Sequence, residues 1–450
     1  MNKTLIKGGK IVSMDDKIGV MDKGDVLIED DKILEISSEI IAGEAEIFDA
    51  SKMIIIPGLI DSHVHTWQTG IRGIAGNWTM GQYLRGMHAN LATSFKPEDI
   101  YLGNLAGALT HINGGITTLM DWSHNNPTPE HTDSAIDGLE ESGIRAVFGH
   151  GSPKPDPKEG QKHFSEVPHP KHEIERLRNG RLSSDDALVT LGMCILGPHY
   201  STYEVTHHDI LLAREYDLLA SAHMSGGFNR LVPDGIYKMR DDKLLDSNLN
   251  IVHGNDLSDE ELQILIDHGV KMTITPEVEI QMGFGDPIIG KVIACGGHPS
   301  IGVDVESNIS GDMFNVIRLA LQVQRMIDNK PFADSHKPIE SLSISSIEAL
   351  KWATIYGAEM MGIDHKTGSL TPGKQADITL VRADDLNIHP VDDPVNALVF
   401  YANASNVDTV YINGDLKKKK GKLVYKGLTD VLTKLEKSRS TILESSHAVQ

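Results

Sequence analysis

Cysteine is nearly absent. Cys194 and Cys295 are the two in a chain of 450 residues, which excludes a disulfide framework and fits a reducing cytoplasm. Long apolar runs are missing as well: no stretch of about eighteen residues is apolar enough to span a bilayer. The opening Met1-Asn2-Lys3-Thr4-Leu5-Ile6-Lys7-Gly8 has no signal-peptide core. Basic residues are outnumbered, 42 to 63, leaving a formal charge of -21. That balance argues against nucleic acid or an anionic membrane as partner. What remains is an ordinary globular composition, 40% hydrophobic and 23% charged. The length suits one large domain with a smaller one attached.

Histidine, by contrast, is plentiful, at 21 residues. Most histidines are structural or solvated, so each candidate needs its own case. The strongest pair ends the run Met53-Ile54-Ile55-Ile56-Pro57-Gly58-Leu59-Ile60-Asp61-Ser62-His63-Val64-His65. This apolar, β-branched stretch reads as one buried strand. Side chains alternate along a strand, so His63 and His65 face the same way and can share a metal ion.

Both chain ends read as short strands. Lys10–Ser13, Asp25–Glu29 and Lys32–Ile36 come first, with Asp30-Asp31 as a tight turn; Asp377–Val381 and Thr409–Gly414 return near the end. Gly421–Tyr425 is expected to close a hairpin across Asn413-Gly414, and Lys417–Lys420 to be a solvated edge. Residues 1–56 and 366–425 are therefore expected to form one small discontinuous β-domain. Residues 57–365 alternate short apolar strands with helical segments, such as Ser258–His268 with its Ser258/Glu261 capping signature. Repeated β-α units over this length favour a parallel (β/α)8 TIM barrel, an α/β fold. A doubly wound open sheet is the other possibility, although no Gly-rich phosphate fingerprint follows a strand. The turn-rich segment 152–185 is a lid, an arm or a surface loop, and His163, His169 and His172 within it read as solvated. Residues 426–450 read as a polar C-terminal helix and tail.

More candidate ligands end strands. His223 closes Leu219–His223, His253 closes Ile251–His253, and Asp304 closes Pro299–Asp304. In a barrel the strand C-termini converge on one mouth. Three histidines and a carboxylate can hold a divalent cation with a position left open for water, whose pKa the metal brings toward neutrality.

This constellation resembles the amidohydrolase superfamily, in particular its mononuclear branch of aminohydrolases of triazines, S-adenosylhomocysteine, guanine and cytosine. The resemblance spans nearly the whole chain. Its motifs are Pro57–His65, Arg72-Gly73, Gly115–Asp121, Gly197-Pro198-His199-Tyr200-Ser201, His253–Glu261, Gly302-Val303-Asp304 and Gly368–Asp377. It implies a β-sandwich built from both chain ends and one divalent ion, zinc first and iron second, held by His63, His65, His223 and Asp304. Asp304 would also take the water's proton, His253 would orient or polarise the substrate, and His199 would touch it. No lysine lies in Leu188–Cys194 to bridge a second metal. The resemblance also implies a small-molecule substrate and a homo-oligomer. Gln68, Trp67, Trp78 and His124 lie where a flat ring would be gripped.

Two departures stand out. Relatives of this branch carry a proton-shuttling Glu three residues after the strand-five histidine; here that position is Gly226. Where they show Pro-x-Ser-Asn, this chain has Pro276-Glu277-Val278-Glu279, and Glu279 is the candidate replacement. The expected activity is a metal-dependent hydrolase of C–N bonds, an aminohydrolase of a nitrogen heterocycle. Alternatives are another leaving group (chloride, an alkylamine, a cyclic amide) and a non-catalytic barrel.

Overall fold

A computed structural model describes residues 3–224 and 230–446. Gly226, the position of the missing shuttle, lies outside these described residues. The run ending in His63 and His65 is not one strand. Gly58 cuts it into β5 (Met53–Pro57) and β6 (Leu59–Val64), and the two halves join different sheets. A Cβ at Gly58 would fall 2.0 Å from Thr117 Oγ1, so only glycine lets the chain cross there.

The first sheet has nine strands. From the chain start come β1 (Lys3–Val12), β2 (Val20–Glu29), β3 (Lys32–Ser37), β4 (Glu46–Asp49) and β5. Eight strands of the second sheet intervene: β6, β7 (Ile116–Ser123), β8 (Arg145–Gly151), β9 (Val189–Ile195), β10 (Ala220–Met224), β11 (Leu249–His253), β12 (Lys271–Ile274) and β13 (Pro299–Ile301). The chain then returns to the first sheet with β14 (Ile378–Arg382), β15 (Val407–Ile412), β16 (Asp415–Lys419) and β17 (Lys422–Leu423). The two chain ends meet where β14 pairs antiparallel with β5. Ile6, Ile11, Val26, Ile55, Ile378 and Leu380 pack together as the core of this sheet.

The lysine run differs from expectation. It forms β16, which closes the hairpin across Asn413-Gly414, with Ile412 opposite Asp415; Lys422–Leu423 adds a further strand. Strand alternation turns Lys418 inward, 2% exposed, where Nζ donates to the Asn113 carbonyl at 2.6 Å. It is not a solvated edge residue.

The second sheet is the parallel barrel. Its eight strands run in sequence order, each parallel to the next. It closes just beyond β13: Asp304 N donates to His63 O at 2.8 Å and His65 N to Asp304 O at 2.7 Å. A Cβ at Gly302 would fall 2.6 Å from His63 O, so this seam also needs a glycine. Buried Asp61 locks the seam, accepting from Val303 N (3.0 Å) and His63 N (3.2 Å). Its other oxygen accepts from His111 Nε2 at 2.8 Å. Burial would lower the His111 pKa, but the hydrogen bond and charge of Asp61 raise it instead.

Helices cover the barrel. Asp259–Asp267 starts at the Ser258 cap, with Glu261 N to Ser258 Oγ at 3.1 Å and Ser258 N to Glu261 Oε2 at 2.9 Å. Such a cap contributes about 1 kcal/mol. The terminal helix, Leu428–Ser445, packs Val431 and Leu435 against Leu105 and Leu109 of helix Pro97–Asn113. No helix among the described residues is long and apolar enough to cross a membrane.

Candidate metal centre

Three barrel strands deliver imidazoles to one point. His63 is in β6 and His65 just after it, His223 is in β10, and His253 ends β11. Asp304 follows β13. All five are buried. His63 Nε2 and His65 Nε2 each stand 3.3 Å from Asp304 Oδ1. His223 Nε2 lies 3.2 Å from His63 Nε2, and His253 Nε2 is 3.9 Å from Asp304 Oδ2. His63 with His65 and His223, and His63 with His253 and Asp304, offer ligand atoms within 4.8 Å of one another. Both His253 and Asp304 sit at positive φ, 73° and 70°. That conformation costs a non-glycine residue energy and is held where a side chain must be aimed.

The protonation pattern suits a cation. His65 Nδ1 donates to the Trp122 carbonyl at 2.7 Å, leaving Nε2 as a bare lone pair facing Asp304. Burial drives the His63 pKa down to about 3, and burial with neighbouring His63 pushes His223 well below its usual value. Burial alone would raise the Asp304 carboxyl, but the neighbouring imidazoles of His63 and His65 outweigh it and hold the group below its usual range. Two neutral imidazoles with Nε2 atoms 3.2 Å apart, beside a buried carboxylate, are a donor set that fits a divalent cation.

Behind these side chains the neighbouring acids are well paired. Asp121 accepts from Thr66 N at 3.2 Å and Asn104 Nδ2 at 2.8 Å, and burial raises its pKa to about 6. Glu279 is fully buried. Its Oε1 lies 3.2 Å from His253 Nδ1 and accepts from Thr275 N at 2.8 Å, while Oε2 accepts from Asn255 Nδ2 at 3.2 Å. Glu279 thus stands behind His253 rather than on the pocket wall. Glu277, its neighbour, pairs instead with Asn315, and burial raises it to about 7.

The pocket over this centre is walled by His65, His124, His223, His253 and Asp304, with Phe284 and Met282 at one side. His124 is where a substrate contact was expected. The others are not on the lining. Trp67 is buried edge-on to Phe95 and His124. Gln68 donates to Tyr83 Oη at 2.5 Å and accepts from Ser307 at 2.7 Å. Trp78 packs over Gly86. His199 is buried one residue from Tyr200, and Tyr200 is the one that reaches the wall. Sequence reasoning missed Tyr83, His88, Lys154 and Phe284, which also line the pocket. His88 belongs to a π-helical turn, Leu84–His88, that no periodicity announces. His169 is a correction: it is 3% exposed and its Nε2 meets His150 Nδ1 at 2.8 Å.

Barrel, strand-end histidines and buried aspartate together define a hydrolase whose donor set can hold a metal. The chain belongs to the amidohydrolase family, whose model matches residues 54–417, and is a hydrolase acting on carbon–nitrogen bonds. It is 27% identical over 420 residues to a 5-methylthioadenosine/S-adenosylhomocysteine deaminase of Pyrococcus furiosus, covering 92% of this chain and 94% of that one. It is 28% identical over 442 residues to a 5'-deoxyadenosine deaminase of Methanobrevibacter smithii, covering 94% and 95%. Among solved structures it resembles zinc-complexed atrazine chlorohydrolase TrzN of Arthrobacter aurescens (TM-score 0.86, 22% identity, 97% and 100% covered). It also resembles a zinc-bound adenosine deaminase of Xanthomonas campestris (TM-score 0.82, 19% identity, 98% and 99% covered).

Proposed function

We propose that this chain is an aminohydrolase of a nitrogen heterocycle, using one divalent cation held by His63, His65, His223 and Asp304. The observation that carries the reading is the meeting of these side chains within a few ångströms at the barrel mouth. When bound, the cation supplies Lewis acidity, lowering the pKa of water toward neutrality. The reaction consumes one water, turns a ring C–NH2 into C=O and releases ammonia.

The protein's own groups move the protons. Asp304 Oδ2, the carboxylate oxygen that His63 and His65 do not share, accepts the proton of the attacking water. His253 commits Nδ1–H to Glu279, which leaves Nε2 free to take a proton and hand it on, 3.9 Å from Asp304 Oδ2. Glu279 is then a positioning residue that fixes the tautomer and orientation of that imidazole. His124 meets the substrate, whereas Gln68 and Trp67 hold Tyr83 and His124 in place. Zinc is favoured over iron because imidazole and carboxylate suit it and two structural neighbours carry it. The scarcity of cysteine supports a cytoplasmic setting, and the family resemblance a homo-oligomer.

A second reading keeps the centre and changes the leaving group. It is favoured by one observation: Asp304 is the one carboxylate lining the pocket among the described residues. Ammonia and chloride assays across amino- and chloro-substituted purines, pyrimidines and triazines separate the two. Ammonia release that depends on added metal supports the first reading; halide release without ammonia replaces it.

A further inference from the structure

The metal-centre pocket does not end at its own walls. His88, His124 and Lys154 line it and also line a second, larger cavity of about 310 Å³. The inner pocket is only about 30 Å³, room for a reacting group and its water. The outer cavity offers room for the rest of a substrate past these three residues.

Lys154 is the cation at that neck. It follows β8 in the turn-rich segment that the sequence marks as an excursion. Its Nζ lies 5.1 Å from the centre of the Trp122 ring and 5.6 Å from that of Tyr200. Trp122 in turn packs against His223, with ring centres 4.1 Å apart. Among the described residues no carboxylate lies within ion-pair distance of Lys154. The π faces compensate only part of the hydration an ammonium gives up. Burial lowers its pKa to about 8, which still leaves it charged at neutral pH. Lys158 adds a second cation to the outer cavity against the single carboxylate of Asp156.

We propose that Lys154 is a specificity-determining residue that pairs with an anionic group, a carboxylate in the simplest case, on the heterocyclic substrate. The substrate then lies with its reacting carbon at the histidine cluster and its anionic substituent at the neck. This rests on the hydrolase reading above. It explains an ammonium held beside aromatic faces without a counter-ion among the described residues.

The test uses the full, zinc-reconstituted chain and two variants, K154M and K154R. Matched probes with and without a carboxylate are assayed for ammonia release and for binding by calorimetry: cytosine and 5-carboxycytosine, pterin and pterin-6-carboxylate. The anionic member of at least one pair is expected to bind about tenfold tighter than its neutral partner. K154M erases that gap, raising KM with kcat little changed, and K154R keeps it. Equal or tighter binding of the neutral members overturns the proposal. So does failure of both anionic probes to bind, or a gap that survives K154M. Zinc content of all three proteins keeps the two ideas apart: absence of zinc from the wild type defeats the hydrolase reading itself, whereas zinc binding with no anion preference defeats only this inference.

Discussion

His253 Nδ1 stands 3.2 Å from Glu279 Oε1, and this contact sets the carboxylate behind the imidazole, away from the substrate side. The helix Pro276–Met282 begins directly after β12, so Glu279 reaches back to Thr275 N as well as across to β11. A carboxylate spent on such donors fixes a tautomer rather than ferrying protons.

Glu279→Gln is therefore expected to lower kcat about ten- to hundredfold, with metal content unchanged and KM little affected. Steady-state kinetics with parallel metal analysis checks this. A variant of unchanged kcat would remove Glu279 from the machinery. Loss of one limb of the pH profile with binding intact would instead restore it as a proton carrier.

Gly58 and Thr117 are expected to couple. Gly58→Ala pushes a methyl into the Thr117 side chain and should cost about 1–3 kcal/mol of unfolding free energy. Thr117→Ala removes the two nearest obstructing atoms, Oγ1 and Cγ2, and leaves Cβ at 2.5 Å, so the double variant should cost less than the sum of the single ones. Denaturant unfolding of all four proteins measures the coupling; strict additivity would mean the crossing is looser than it looks.

How much of this was legible in the sequence follows from how each residue acts. The candidate metal-site residues lie at strand ends, which follow the period-two rule and the barrel's convergence, so His63, His65, His223, His253 and Asp304 could be read from one chain. The Ser258/Glu261 cap was legible because it is local. The break at Gly58 was not, because it depends on Thr117 in another strand. Tyr83 and His88 come from short helical turns and Lys154 from a loop, elements too short or irregular for periodicity to fix their direction. Lys418 and His169 read as surface groups in the sequence because charge and proline-rich context usually mean exposure. Each is buried against a specific acceptor or ring partner.

Lys418 supplies a pH signature. Burial lowers its folded pKa to about 8, below the free-lysine value of about 10.4. Between these values the unfolded chain binds more protons than the folded one, so this residue's contribution to stability improves as pH rises through that window. The stability difference between wild type and Lys418→Met should therefore move in favour of wild type between about pH 7 and pH 10. Chemical denaturation at several pH values tests the sign. A difference that stays flat would mean that the ammonium titrates as it does in water.

The account's central claim is that side chains from barrel strands β6 and β10 and from the segments just after β6 and β13 hold one cation together. The direct measurement is metal stoichiometry of the purified full chain after expression with zinc, compared with His63→Ala, His223→Ala and Asp304→Asn. About one metal per chain in the wild type is predicted, falling to a small fraction in each variant. A wild-type chain that stays metal-free, or variants that all keep a full complement, would contradict it.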